Sequence, residues 1–402
     1  MEATEDNSRR RKFLQMGLSG AMIGLAGCTD RINIRTSSED NETEPSGGSE
    51  ESSSSSEEGE NSASYTIELV PAWRQEGTFN IATADGDFFT GHSSVTRISP
   101  TGQQVFETPE FDEEYRALID SGWRNSLYAD SSGVYFGLAP EDETNGAQLA
   151  AFEPASGERR WTHEEPADGL HNYIRATTRT DDVIIYASMS SGSGSDQEPI
   201  VRAVDSQSGT AQWNIEYSEG FIPGLFTYED RLFVQETFRL LVYDLTTQEF
   251  ITELDIDAGF NRAQRDGDKL FVPGETIQVV SLPTGNEQWS VESEREVDTS
   301  PALGEEGMFV GTEAGYILGY DLNTGEELWE RRVEGVIDYP PIFADGVVWV
   351  ASERGGLSAF DEATGELLYR EEVEPNFEFA IQDNILLDTE RDTAFEIQNS
   401  EL

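Results

Sequence analysis

An all-β ring of eight four-stranded blades is the fold class that this 402-residue sequence predicts, and three observations carry it. The stretch YDLNTGEELWE at 320–330 returns as FDEATGELLYR at 360–370. Weaker copies recur upstream, so that the phrase ends successively at Phe106, Trp161, Trp213, Thr252, Trp289, Trp329 and Tyr369, with spacings that settle near 40 residues. The segments between copies are short, β-type and punctuated by turn residues. A period of about 40 with that texture is the signature of β-propeller blades. The third observation lies at the chain ends, where one strand is missing from the last unit and a spare one precedes the first.

The elements follow in order. In blade six, SPAL at 300–303 reads as the inner strand, 307–312 as the second, 316–321 as the third and 326–331 as the outer strand. Glycine-bearing turns at 304–307 and 323–325 separate them, because glycine tolerates positive φ. Blade seven repeats the plan with VVWVA, LSAFD and ELLYR after the Ala-Asp-Gly turn at 344–346. Beyond Tyr369 come FEFAIQ, NILLD and TAFEI, three strands without a fourth. IELVPAW at 67–73 is a strand without a blade, so it is expected to complete the last blade and close the ring. Trp73 then supplies an eighth terminal position, and closure leaves the ring without an open end. Seven blades is the alternative count.

The phrase Ala/Gly-x-Asp-x-x-Thr-Gly-x-x-x-Trp, best seen in GYDLNTGEELW, AVDSQSGTAQW and AFDEATGELLY, resembles the tryptophan-docking repeat of the pyrroloquinoline-quinone (PQQ)-like propellers. The resemblance covers about residues 65–397, most strongly blades six and seven. It implies that Trp73, Trp161, Trp213, Trp289 and Trp329 staple neighbouring blades, with Gly157, Gly209, Gly285, Gly325 and Gly365 in the turns they meet. Phe106 and Tyr369 fill the same position less well. Thr252 does not fill it, and Gln248 stands where the blade-four glycine belongs. The phrase is therefore read as architecture.

Composition excludes some functions. Asp and Glu total 79 against 26 Lys and Arg, a formal charge of -53, which repels nucleic acid. Lys12 and Lys269 are the only lysines; acid-rich, lysine-poor surfaces resemble those of halophilic archaeal proteins, in which concentrated salt screens self-repulsion. Cys28 is the single cysteine, so no disulfide forms within one chain.

Residues 8–28, SRRRKFLQMGLSGAMIGLAGC, place a basic patch before an apolar run too short to span a bilayer. Arg10 and Arg11, followed by Lys12-Phe13-Leu14, resemble a twin-arginine export signal, and Leu25-Ala26-Gly27-Cys28 resembles a lipobox. Residues 36–64 are Ser/Glu-rich, without aliphatic or aromatic side chains beyond alanine and one proline. The expected organisation is a signal peptide at 1–27, a lipidated Cys28 with an acidic tether to 64, and a propeller at 65–402. Cys28 then anchors the chain to the extracellular face of the cell membrane.

Signals for chemistry are sparse. Quinone-dependent dehydrogenases that share the repeat carry a vicinal cysteine disulfide, a calcium site and a catalytic aspartate. No cysteine follows Cys28, and no calcium-ligand set can be placed residue by residue, so no cofactor is expected; PQQ with calcium remains the alternative. His92, His163 and His171 are the only histidines, and the last two flank one loop. DTERD at 388–392 is one of several acidic turns that match no EF-hand. No Gly-x-Ser-x-Gly elbow occurs.

The long segments 107–122, 139–147, 163–173 and 189–199 fall by this strand assignment on one face, over blades two and three. Phe111, Tyr115, Trp123 and Tyr173 lie in or near them and mark a candidate face for a protein or glycan partner. The expected function is a binding or scaffold module without catalysis. The alternatives are a PQQ-dependent dehydrogenase and a glycan-binding module.

Overall fold

The computed structural model describes residues 65–401 except 76–80, 92, 113, 119–125, 142–144, 167–170, 172, 190–197, 218–219, 257, 260, 373–378 and 390. Cys28, Arg10, Arg11, the tether, His92 and Trp123 lie outside the described residues.

Eight antiparallel sheets follow one another around a ring. From inner to outer strand, blade 1 is Ile81–Ala84, Asp87–Gly91, Val95–Ile98 and Gln104–Glu107. Blade 2 is Tyr115–Ala117 with Tyr128–Asp130, then Gly133–Pro140, Gln148–Phe152 and Arg159–Glu164. Blade 3 is Tyr173–Arg179, Val183–Met189, Ile200–Asp205 and Ala211–Glu216; blade 4 is Gly224–Tyr228, Arg231–Gln235, Arg239–Asp244 and Phe250–Asp255. Blade 5 is Gln264–Asp266, Lys269–Val272, Thr276–Ser281 and Glu287–Glu292; blade 6 is Ala302–Leu303, Gly307–Gly311, Tyr316–Asp321 and Glu327–Arg332. Blade 7 is Ile342–Ala344, Val347–Ser352, Gly356–Asp361 and Leu367–Glu371. Blade 8 is Phe379–Gln382, Ile385–Asp388 and Thr393–Glu401, and its outer strand is Tyr65–Arg74.

The expected closure is present. Tyr65–Arg74 runs antiparallel to Thr393–Glu401, with Tyr65 opposite Glu401 and Arg74 opposite Thr393. The eight-bladed count holds and the seven-bladed alternative falls.

The core explains why neighbouring blades cohere. Middle strands such as Gly133–Pro140 and Val347–Ser352 are buried along their whole length, because blades cover them on both sides. Outer strands alternate instead, as in Ala211–Glu216 and Glu287–Glu292, with Trp213 and Trp289 at the half-buried positions. Among the described residues eight large apolar clusters result, each built by two adjacent blades. One of them joins Ile81, Phe88 and Ile98 of blade 1 to Leu387 and Ala394 of blade 8, so the hydrophobic seal runs through the closing seam.

Blade 2 departs from the sequence reading. Residues 107–122 are not a single connection, because Tyr115–Ala117 pairs with Leu138–Pro140 as the first piece of the inner strand. The second piece, Tyr128–Asp130, pairs with Gly133–Tyr135. A three-residue strand is too short to show a period of two, which is why the sequence did not reveal it.

Candidate functional site

The repeated phrase builds the junctions between blades. A Cβ added to Gly209 would lie 2.5 Å from the Trp161 ring, and one on Gly325 or Gly365 would lie 2.5 or 2.6 Å from Trp289 or Trp329. Gly102 faces Trp73 and Gly157 faces Phe106 in the same way, at 2.6 and 2.5 Å. Each ring therefore lies flat on a glycine of the next blade, where no side chain fits. All five glycines sit at φ between 65° and 80°, which independently favours glycine.

The indoles also donate. Trp73 Nε1 bonds the Pro100 carbonyl at 3.0 Å, Trp161 the Ser206 carbonyl at 3.1 Å, Trp289 that of Leu322 at 3.2 Å and Trp329 that of Glu362 at 2.7 Å. The turns are pre-shaped by the repeat's aspartate. Asp321 Oδ1 accepts from the amides of Asn323 and Thr324 at 2.9 and 2.7 Å and from the Thr324 hydroxyl at 3.0 Å. Those donors hold its carboxyl below the usual range, as their counterparts do for Asp205 and Asp244.

Two junctions differ. At the blade 3–4 junction, Gln248 occupies the glycine position at φ 59°, and its own Nε2 donates to the Leu245 carbonyl at 2.8 Å, the acceptor an indole takes elsewhere. At the blade 4–5 junction, Thr252 leaves Gly285 facing only Leu254, at 3.8 Å from an added Cβ. The blade-4 outer strand is correspondingly exposed, with Phe250 and Ile251 54% and 46% accessible.

The long connections share one face. In an up-and-down blade the second-to-third and outer-to-inner connections emerge together, and here they bond to one another. The Ala147 amide donates to the His171 carbonyl at 2.8 Å, and the Glu165 amide to Ala147 at 2.9 Å. His171 Nε2 donates to the Glu198 carbonyl at 3.1 Å. The Phe111 amide donates to Ser93 at 2.7 Å, and that of Glu141 to Glu114 at 2.7 Å. The result is a hydrogen-bonded ledge over blades 1 to 3. The opposite face carries tight turns, among them Asp85-Gly86 and Asp345-Gly346 with positive φ at both residues.

Phe111 is 6% exposed and packs edge-on against Phe136, 6.0 Å away, beside the stacked Phe136–Phe152 pair. Tyr173 is also 6% exposed and packs with Leu118 and Ala139. Both are core residues, turned inward against neighbouring strands. Tyr115 is half-buried in the inner strand of blade 2.

Histidine placement separates His163 from His171. His163 sits in the blade 2–3 junction and its Nδ1–H donates to the Gly209 carbonyl at 3.0 Å. It neighbours Glu165, which is paired with Arg202 at 2.9 Å, and Tyr186, whose hydroxyl bonds Glu165. Burial pushes His163 below its ordinary value of 6.5. The unfolded chain therefore takes the proton first, and stability falls as pH drops from above 6.5 toward the lower folded value. Melting temperature between about pH 8 and pH 6 should fall in the parent and fall less in His163→Gln.

DTERD is likewise structural in part. Asp388 has a side chain 0% exposed and is bonded by Arg391. Among the described residues no three His, Cys, Asp or Glu side chains converge to hold a metal ion.

The centre of the ring holds a cavity of about 230 Å³. Its walls come from the inner strands of blades 1, 5, 6, 7 and 8 and from Leu127 of blade 2. Most lining residues precede or begin their strands, which run from the ledge face inward, so the cavity lies in that half of the channel. Arg262, Gln264, Ser300, Thr83 and Tyr339 are its polar lining. Among the described residues no carboxylate lines it, and Arg262 is the single cation of that described lining. These residues do not fit PQQ with calcium: the metal would lack an anionic ligand, and three quinone carboxylates would share one cation.

Residues 273–395 match a family model of PQQ-type repeats described as outer membrane protein assembly factor BamB. No curated protein matches the sequence. Among solved structures, BamB from Moraxella catarrhalis is similar at TM-score 0.58 and 14% identity, over 83% of this chain and 97% of that one. The computationally designed Ika8 protein is similar at TM-score 0.58 and 14% identity, over 83% and 99%. A europium-containing methanol dehydrogenase reaches TM-score 0.49 at 14% identity, over 69% and 73%. At such identities the likeness shows the fold alone. The blades define the fold class as an eight-bladed β-propeller, and residues 273–395 are similar to PQQ-type repeats.

Proposed function

We propose that the protein is a lipid-anchored, extracellular binding or scaffold module without catalysis, held to the membrane through Cys28. The observation that carries this reading is the opposition of two faces. One face carries the tight turns, and Tyr65 begins the outer strand of blade 8 at that end, opposite Glu401. The hydrogen-bonded ledge lies on the other face. The partial match to a BamB family model supports a scaffold role by analogy. The polar ledge suits a protein partner better than sugar stacking, because Phe111 and Tyr173 are buried.

Site-specific photo-crosslinking tests the reading in native membranes at native salt. A photoreactive residue at Glu110 or Glu141, exposed on the ledge face, should give a discrete adduct. The same group at Asp268 or Asp345, exposed on the turn face, should not. Equal adducts from both faces, or none from the ledge, would overturn it.

A further inference from the structure

We infer that the central cavity binds a small organic monocarboxylate, clasped by the Arg262 guanidinium with the ligand's apolar body against Leu127, Ile342 and Ile381. Three lines of geometry lead there.

Arg262 is held in place by its neighbours rather than by a strand ladder. Its blade's inner strand begins only at Gln264. The backbone around it is pinned from both sides: Gln235 of blade 4 accepts from the Ala263 amide at 2.9 Å and donates to the Asn261 carbonyl at 2.7 Å. Ser300 of blade 6 accepts from the Arg262 amide at 3.0 Å. Gln235 is 0% exposed, so a fully buried amide is committed to positioning the residues that flank one arginine. The guanidinium lies over the Phe226 ring, 5.5 Å from its centroid. It is surrounded by protein yet keeps accessible surface, as a side chain facing an internal cavity does. Burial pushes it down to about 10, which leaves it cationic at neutral pH.

The charge of the lining reverses that of the chain. With 79 acidic residues against 26 basic ones, a wall whose described residues include an arginine and no carboxylate is the local exception. A positive centre at low dielectric attracts an anion far more strongly than one on a hydrated surface. A guanidinium carries five N–H donors, so engaging a ligand does not require it to be otherwise unpartnered.

Size and shape narrow the anion. The volume, about 230 Å³, lies between the roughly 150 Å³ that accepts benzene and the roughly 300 Å³ at which drug-sized sites begin. One ring or a short branched chain fills it. A carboxylate matches the guanidinium fork with two parallel hydrogen bonds, whereas a phosphate dianion facing one cation keeps an uncompensated charge. The site stands apart from the scaffold reading, and either can fail while the other holds.

Calorimetric titration of the full chain in high salt tests it with benzoate, its neutral isostere benzamide, and inorganic phosphate. Benzoate should bind one-to-one, with benzamide and phosphate at least about tenfold weaker. Arg262→Gln should weaken benzoate at least about tenfold, and Arg262→Lys less. Thr83→Trp, placed at an exposed lining position, should fill the cavity and abolish binding without disturbing the fold. A flat titration, equal binding of benzamide or phosphate, or undiminished binding to Arg262→Gln or Thr83→Trp would overturn the inference.

Discussion

Trp329→Ala is expected to lower the stability of the propeller by about 3–5 kcal/mol, the range for truncating a large buried aromatic side chain. The ring is 5% exposed. It stacks on Phe309 at 5.3 Å with planes 23° apart, and lies 6.2 Å from Phe360 of the next blade. Alanine would leave a void between two blades and strand the Glu362 carbonyl, which now accepts the indole proton. The loss spreads, because this junction is reciprocal: Glu362 Oε1 accepts amides of Glu306 and Gly307 in blade 6 at 2.9 and 3.0 Å. The turn that receives the indole thus reaches back to the blade that supplies it.

Two further variants separate docking from mere bulk. Gly365→Ala should also destabilise, because its Cβ would meet the indole at 2.6 Å and its φ is 65°. Trp213→Ala should cost less than Trp329→Ala, because Trp213 is only half-buried and Gln248 already serves the carbonyl of its receiving turn. Denaturant midpoints at fixed salt measure all three. A Trp329→Ala protein that unfolds with the parent would remove the docking role.

The parts visible in the sequence are those that repeat. The Asp-x-x-Thr-Gly phrase encodes a turn whose side chains bond locally, so its meaning survives without tertiary context. The spare strand at 67–73 was readable because the last unit lacked a partner. What escaped depends on contacts distant in sequence. Phe111 stands in an acidic loop and reads as surface, yet it fills a gap beside two phenylalanines 25 and 41 positions away. Arg262 carries no motif at all. Its importance comes from Gln235 and Ser300, which lie 27 and 38 positions away and reach its backbone or its flanking residues only when blades 4, 5 and 6 pack together. A polar residue pinned by neighbouring blades leaves no periodic trace, so a cavity of this kind is legible only in the folded chain.

The seam between blades 7 and 8 carries the second large effect, and its chemistry follows from how the ring closes. In every other blade the third and outer strands are joined by the turn that receives a ring or its substitute. In blade 8 those strands are the two ends of the propeller, Thr393–Glu401 and Tyr65–Arg74, so no such turn exists for Tyr369 to rest on. An ionic clasp replaces it. The Tyr369 hydroxyl donates to Glu371 Oε2 at 2.8 Å, and Glu371 receives two Arg391 nitrogens at 2.8 and 3.2 Å. Arg391 also bonds the fully buried Asp388 and lies 4.5 Å from the Phe395 ring centroid. Arg391→Met should therefore cost about 3–5 kcal/mol, because it leaves a buried carboxylate without its counter-charge. Adding Asp388→Asn should recover part of that loss, and Arg391→Lys should fall between, since it keeps the charge but not the fork. Salt distinguishes this clasp from an exposed pair. Screening reaches buried charges poorly, so the deficit of Arg391→Met should persist from low to molar salt. A deficit that disappears in concentrated salt would mean that the closing junction is held by apolar packing alone.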